Sequence, residues 1–241
     1  MESTIQQEGA DDTITCGRLL ENGVPTGDGL TLSRDGPTLA YFEDAVTPLL
    51  GNLVLGEYGF GLVRGGETDG EFARGVGITL PGRGAPDEHE HVHPSYAERF
   101  EVIEGEFVFV LDGDSRTLTA GESVTVEAGT PHTYRNDSAS VASCLIETRP
   151  AGRLEEVLYT LNGLSLDGKL DEHGNPRFLQ GMVFVDELAD DTMFTSPPPL
   201  VQRAVAAVLA PLARRLGYRA IYPEYEDDAF WETRIEQPVS Y

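Results

Sequence analysis

Three histidines and a glutamate carry the chemistry this sequence offers: His91, His93, Glu98 and His132. Neutral imidazole with carboxylate suits divalent transition metals. Three histidines, one glutamate and open positions follow the ligand logic of a non-haem iron site, with Mn, Ni, Cu, Co and Zn also accommodated. An open position matters because substrate or dioxygen must bind there. In a strand, side chains two apart share a face, so His91 and His93 present imidazoles side by side. Glu98 joins them if the chain turns at Pro94–Ser95 and re-enters a strand, and His132 completes the set if the intervening strands return to the same cavity. His89 shares the strand parity of the pair and reads as an alternative ligand or, more simply, as an exposed or supporting residue. His173, within DEHGNPRF, reads as a surface-loop residue, and Asn136 as a strand end or turn former. Tyr96 and Tyr134 are candidate hydroxyl donors to a pocket. No GxSxG, P-loop or HExxH pattern is present, and GFGLVRGG at 59–66 lacks the spacing of a dinucleotide loop.

The elements that must position these residues are short. GVGITL, RFEVIEG, EFVFVLDG, SRTLTAG, SVTVEAG, HTYRN and VASCLIET follow one another through 74–148, rich in β-branched and aromatic residues and separated by glycine turns. LDGDS at 111–115 signals a hairpin, because Asp-Gly tolerates positive φ. Many short strands with such turns indicate a sandwich or barrel. Phe100, Val102, Phe107 and Phe109 are expected to line or pack its interior. ITCGRLL, TLAYF and GNLVLGEYGFGLV are further strand candidates.

After Pro150 the period changes to that of a helix. Leu154, Val157, Leu158 and Leu161 share a face, with Gly163 as a stop. A second helix over 199–217 carries an apolar stripe of Val201, Val205, Val208, Leu212 and Leu216. Arg214 and Arg215 near its end suit the helix dipole, Gly217 terminates it, and Pro211 should kink it or shift its start. The stripe is expected to pack on the β-domain or on a second subunit. The boundaries read as a disordered lead over 1–12, a β-domain over 13–150 and a helical extension over 151–241.

The chain of 241 residues carries 41 acidic against 17 basic side chains, a formal charge of -24, and Lys169 is its single lysine. Such a balance reads as an acidic surface of the halophilic kind, where salt screens like-charge repulsion. It argues against a nucleic-acid partner and against an anionic membrane surface. Cys16 and Cys144 form no metal or redox motif. The polar start MESTIQQEGADD has no secretory pattern, and no apolar run approaches a membrane span. The reading is a cytoplasmic protein.

Two motifs then carry a resemblance. Residues 81–105 read PGRGAPDEHEHVHPSYAERFEVIEG and 121–136 read GESVTVEAGTPHTYRN. They resemble the paired motifs of the cupin superfamily, matching at His91, His93, Glu98 and Gly105, and at Gly121, Gly129, His132 and Asn136. Two departures fall outside the four chemical residues: Gly84 lies one residue too far from His91, and Glu127 stands where the family has proline. With its YPEY tail at Tyr222–Tyr225, the chain looks like the single-domain, conserved-barrel members of unassigned activity. The resemblance implies an all-β jelly-roll barrel with a C-terminal extension of two or more helices. It implies a divalent metal (Fe, Mn, Ni, Cu, Co or Zn) held inside by His91, His93, Glu98 and His132. It implies a dioxygenase-like oxidoreductase acting on a small organic molecule, in which the metal polarises substrate or activates dioxygen and Glu98 is the candidate catalytic residue, detaching to take a proton. A non-catalytic small-ligand sensor and an isomerase of sugar-like substrates are the alternatives on this fold, and a homodimer is the default assembly.

Overall fold

Strands form where β-branched and aromatic residues alternate between glycine and asparagine turns. The computed structural model describes residues 12–238, so the expected lead over 1–12 lies, Asp12 apart, outside the described residues. Two ribbons come first: β1 (Thr13–Cys16) pairs with β4 (Leu30–Ser33), and β2 (Leu19–Glu21) with β3 (Val24–Thr26). A short helix, α1 (Pro37–Ala40), follows.

Two antiparallel sheets make the body. The first runs in the order β13 (Ser123–Val126), β10 (Ala97–Glu104), β15 (Ala142–Arg149), β7 (Ala73–Thr79), β6 (Glu57–Val63), β5 (Leu50–Asn52). The second runs β12 (Asp114–Thr119), β11 (Glu106–Leu111), β14 (His132–Asn136), β9 (His91–Val92), β16 (Met193–Phe194), with β8 (Arg83–Gly84) also on β14. Among the described residues no strand pair joins the two sheets, so the expected jelly roll is present as two sheets without a detected barrel closure. The all-β class holds only roughly, because α2 (Leu154–Leu166), α3 (Phe178–Leu188), α4 (Pro199–Arg215) and α5 (Asp228–Arg234) fill the C-terminal part. None of the helices among the described residues is long and apolar enough to cross a membrane.

Alternation along the strands sorts side chains into two cores. Phe100, Val102, Phe107 and Phe109 pack between the sheets as expected, and Leu118 and Val124 join them. Tyr58, Phe60, Val76 and Ile78 point the other way, into a core shared with the N-terminal ribbons and with Tyr159, Tyr225 and Trp231 of the C-terminal part. Trp231 is fully buried and donates its indole N–H to the Tyr225 carbonyl at 2.7 Å. The 111–115 hairpin turns as its Asp-Gly pair predicts, with φ of 50° at Asp112 and 83° at Gly113.

Three expectations are corrected. TLAYF falls in α1 and the 3-10 turn after it rather than in a strand, and α2 runs through Gly163 to Leu166 instead of stopping there. Of the two places expected for the α4 stripe, the β-domain is ruled out and a second subunit is left. The apolar stripe of α4 does not pack on the β-sheets: Val208 is 73% exposed and Leu216 62%, while Ala206, Ala210 and Ala213 are fully buried. The helix buries its small-residue face, with Ala210 and Ala213 in the same core as Val183 and Leu188 of α3. Alanine lets two helix backbones approach closely. Pro211 lies inside α4 without ending it, and Gly217 follows its last turn at φ 94°.

Candidate metal centre

The strand pairing brings the chemical residues together from both sheets. On β9, His91 sits in register opposite His132 of β14. His93 follows directly after β9, and Glu98 enters from β10 of the first sheet. Gly129 donates its N–H to the His93 carbonyl at 2.8 Å, which ties the second motif to the first. Its φ of 81° is the left-handed conformation that glycine adopts without strain. One ligand atom from each of His91, His93, Glu98 and His132 lies within 4.8 Å of every other. His93, Glu98 and His132 are 3%, 4% and 1% exposed; His91 is partly open.

Backbone oxygens orient all three imidazoles. The Nδ1 atoms of His91, His93 and His132 lie 3.0, 3.1 and 3.0 Å from the carbonyls of His89, Asp191 and Thr130. A carbonyl can only accept, so each Nδ1 carries the proton and each Nε2 is directed inward as a lone-pair donor. This is the arrangement that fixes metal-ligating histidines. Thr192 Oγ1 adds a second contact to His93 Nδ1 at 3.1 Å.

Glu98 Oε2 lies 2.9 Å from His132 Nε2 and 3.1 Å from His93 Nε2. Burial alone would raise the Glu98 carboxyl, but His93 and His132 outweigh it and hold the group well below the usual carboxylate range. Burial pushes His132 down, and its hydrogen bond with Glu98 reverses the sign, so its pKa is raised. His91 is pushed down to about 3 by burial and then by its neighbours His132 and His93. Glu98 is thus held as the ionised partner of His93 and His132. A divalent cation entering the cluster would meet a negative carboxylate.

His93 Nε2 tests the fit. It is buried and makes no hydrogen bond, since its approach to Glu98 lacks the alignment one requires. An orphaned buried nitrogen aimed into a cluster of three further donors fits a transition metal.

The other residues singled out by the sequence separate clearly. His89 is buried, with Nε2 3.0 Å from Asn175 Oδ1, and reaches the cluster only through its carbonyl. His173 is exposed beside Glu88. Asn136 is buried and donates to the carbonyls of Thr79, Leu80 and Ser140, so it shapes a turn. Tyr96 stacks on His93 with ring centroids 4.4 Å apart. Tyr134 stacks on Phe109 and lines a cavity of about 140 Å³ together with Ile146 and Thr148. Leu154, Leu158 and Asn162 of α2 form its rim. Asp191 and Thr192, which orient His93, carry no sequence signal, because the contact spans about a hundred residues and depends on β16 pairing with β9.

Residues 78–146 match the family model described as the cupin domain. The chain is 31% identical over 108 residues to a quercetin 2,3-dioxygenase of Bacillus subtilis, a match that takes in 40% of this chain and spans 31% of the relative's length. Similar solved structures include a predicted oxalate decarboxylase from Thermotoga maritima, 17% identical at a TM-score of 0.40, covering 45% of this chain and 95% of that one. A sugar phosphate isomerase from Silicibacter pomeroyi is 20% identical at a TM-score of 0.37, covering 45% and 73%.

Proposed function

The chain belongs to the cupin superfamily, and on that premise we propose that it binds one divalent transition metal through His91, His93, Glu98 and His132 and acts on a small organic molecule as a dioxygenase-like oxidoreductase. The observation that carries the metal reading is the convergence of the three inward Nε2 atoms, one of them orphaned, on a buried carboxylate. When bound, such a metal supplies Lewis acidity and a site for dioxygen, with iron, manganese, nickel, copper, cobalt and zinc all compatible with the donor set.

The chain's own residues do the rest. The His89, Thr130 and Asp191 carbonyls hold the imidazoles in one tautomer. Glu98, the one carboxylate of the cluster, is the candidate to take a proton from substrate on detaching from the metal. Phe100, Phe107 and Phe109 exclude water from the space between the sheets. The phenylalanines and valines packed between the sheets support this reading over an isomerase of sugar-like substrates, whose hydroxyls would need more polar partners.

Three further parts of the reading concern the whole protein. The β-domain is proposed to span 13–150 with a jelly-roll closure, and the helical extension 151–241. The acidic composition is proposed to reflect a salt-rich cytoplasm. Two copies are proposed to meet through the exposed stripe of α4. The decisive test is elemental analysis of protein purified in molar salt without a His tag. About one equivalent of metal is expected. Less than about a tenth, unrestored by any of the six metals, overturns the metal reading.

A further inference from the structure

Strands β6 and β7 are unusual in carrying Gly59, Gly61, Gly75 and Gly77. Register places Gly59 opposite Gly77 and Gly61 opposite Gly75, so the four form one patch without side chains. The patch lies on the face opposite Tyr58, Phe60, Val76 and Ile78, toward the second sheet. None of the four takes positive φ, so no backbone conformation calls for glycine there. Glycine in a strand interior costs stability, and its presence marks close approach of another backbone or a ligand. Three of the four answer to close approach: a Cβ would meet Thr47 Cγ2 at 2.8 Å on Gly61, the Phe60 carbonyl oxygen at 2.8 Å on Gly75 and Ile146 Cδ1 at 3.0 Å on Gly77. Gly59 differs in having no side chain near it. A Cβ on it would meet the Val76 carbonyl, with the oxygen at 3.0 Å, and nothing else within 4 Å. The space over it is open and belongs to the cavity of about 140 Å³.

The floor connects two chemistries. At one end, Ala73 pairs with Thr148, which pairs in turn with Glu98 of the metal cluster. At the other end, Thr79 pairs with Glu57, whose carboxyl also lines the cavity. No arginine or lysine forms an ion pair with Glu57 among the described residues. Burial pushes this carboxyl up to about 7, against a hydrogen bond from the Ala85 backbone that would lower it. A cavity of roughly 150 Å³ with apolar walls is known to hold a benzene ring. The volume here therefore seats one six-membered ring, with the remainder of a larger molecule at the α2 rim.

We propose that this cavity seats the uncharged single-ring end of a hydroxyl-bearing organic molecule, its ring on the glycine floor and its hydroxyl on the Glu57 carboxyl. A carboxylate-bearing ring fits less well, since its charge would be desolvated beside Glu57, which forms no ion pair among the described residues. Calling this occupant a substrate rests on the dioxygenase-like reading, but the binding itself needs no metal.

The test uses the full chain, treated with chelator, in molar KCl. Phenol, toluene and benzoate are titrated while backbone amide resonances are followed. Phenol should shift the Gly59 and Gly77 amides and bind at least about tenfold more tightly than toluene or benzoate, the margin of a hydrogen bond to a carboxyl. Glu57→Leu should erase the advantage of phenol over toluene, and Gly59→Leu should abolish binding of both. Equal binding of phenol and toluene, or no shift at Gly59 and Gly77, overturns the proposal, as does Gly59→Leu protein that binds like the parent. If Gly59→Leu fails to fold, the parent's shifts and the Glu57→Leu ratio decide alone. Metal content is measured separately, so loss of the metal reading leaves this result standing, and the reverse.

Discussion

At the scale of the residue, the cluster's behaviour turns on who holds which proton. Removing the His132 ring takes away one inward nitrogen and the partner of Glu98. His132→Ala should therefore lose most of the bound metal in elemental analysis; a variant that holds as much as its parent means the four residues do not share an ion. Glu57 gives a second prediction, with its sign fixed by its direction of shift. Its folded value of about 7 exceeds the ordinary carboxylate value of 4.5, so between these values the folded chain binds a proton that the unfolded chain has released. The stability this provides is complete below the unfolded value and is lost as pH rises through the folded one. Glu57→Gln lacks that loss, so its stability relative to the parent should improve from pH 5 to pH 8, by up to about 3 kcal/mol in urea unfolding. A constant difference across that window would mean Glu57 does not titrate there. The four cluster residues were legible in the sequence because motif spacing reports strand parity. Glu57 and the glycine floor were not, because glycine in a sequence reads first as a turn, and only the register of β6 on β7 shows four of them side by side.

At the scale of the element, α4 shows why bulk is a poor guide to burial. Its large side chains define a stripe in the sequence, yet Ala206, Ala210 and Ala213 make the intimate contact and the valines and leucines remain outside. Close helix pairing selects for small size, which a hydrophobicity pattern does not weigh. Ala210→Leu should thus destabilise the protein by about 1–3 kcal/mol through overpacking. Replacing both Val208 and Leu212 by glutamate should leave stability intact and convert a dimer to a monomer in sedimentation analysis. A parent that already sediments as a monomer ends the dimer proposal. β16 is the other illegible element. Two residues long, it carries no periodicity, yet through it Asp191 and Thr192 are brought to His93. Thr192→Val should weaken metal affinity by about tenfold, the effect expected for a partner behind a ligand, while the site's geometry remains.

At the scale of the molecule, charge dominates. Ion pairs such as Arg18–Glu236 and Arg214–Asp186 engage arginines at the surface, and Lys169 is drawn into contact with Asp167 and Tyr225. Exposed pairs of this kind contribute little each, and with 41 acids against 17 bases they leave most carboxylates uncompensated. Salt shortens the reach of their repulsion from about 10 Å at 0.1 M to about 3 Å at 1 M. The melting temperature should accordingly rise steadily with KCl over that range; a flat profile removes the halophilic reading. The molecule carries its own means of following this. Trp231 is the single tryptophan, and it lies where the N-terminal ribbons, the first sheet and the C-terminal helices share one core. Its emission is an intrinsic optical gauge of that junction: blue while the three parts stay docked, red once dilution of salt lets water reach the indole, with no label attached and no second fluorophore of its kind to confuse the colour.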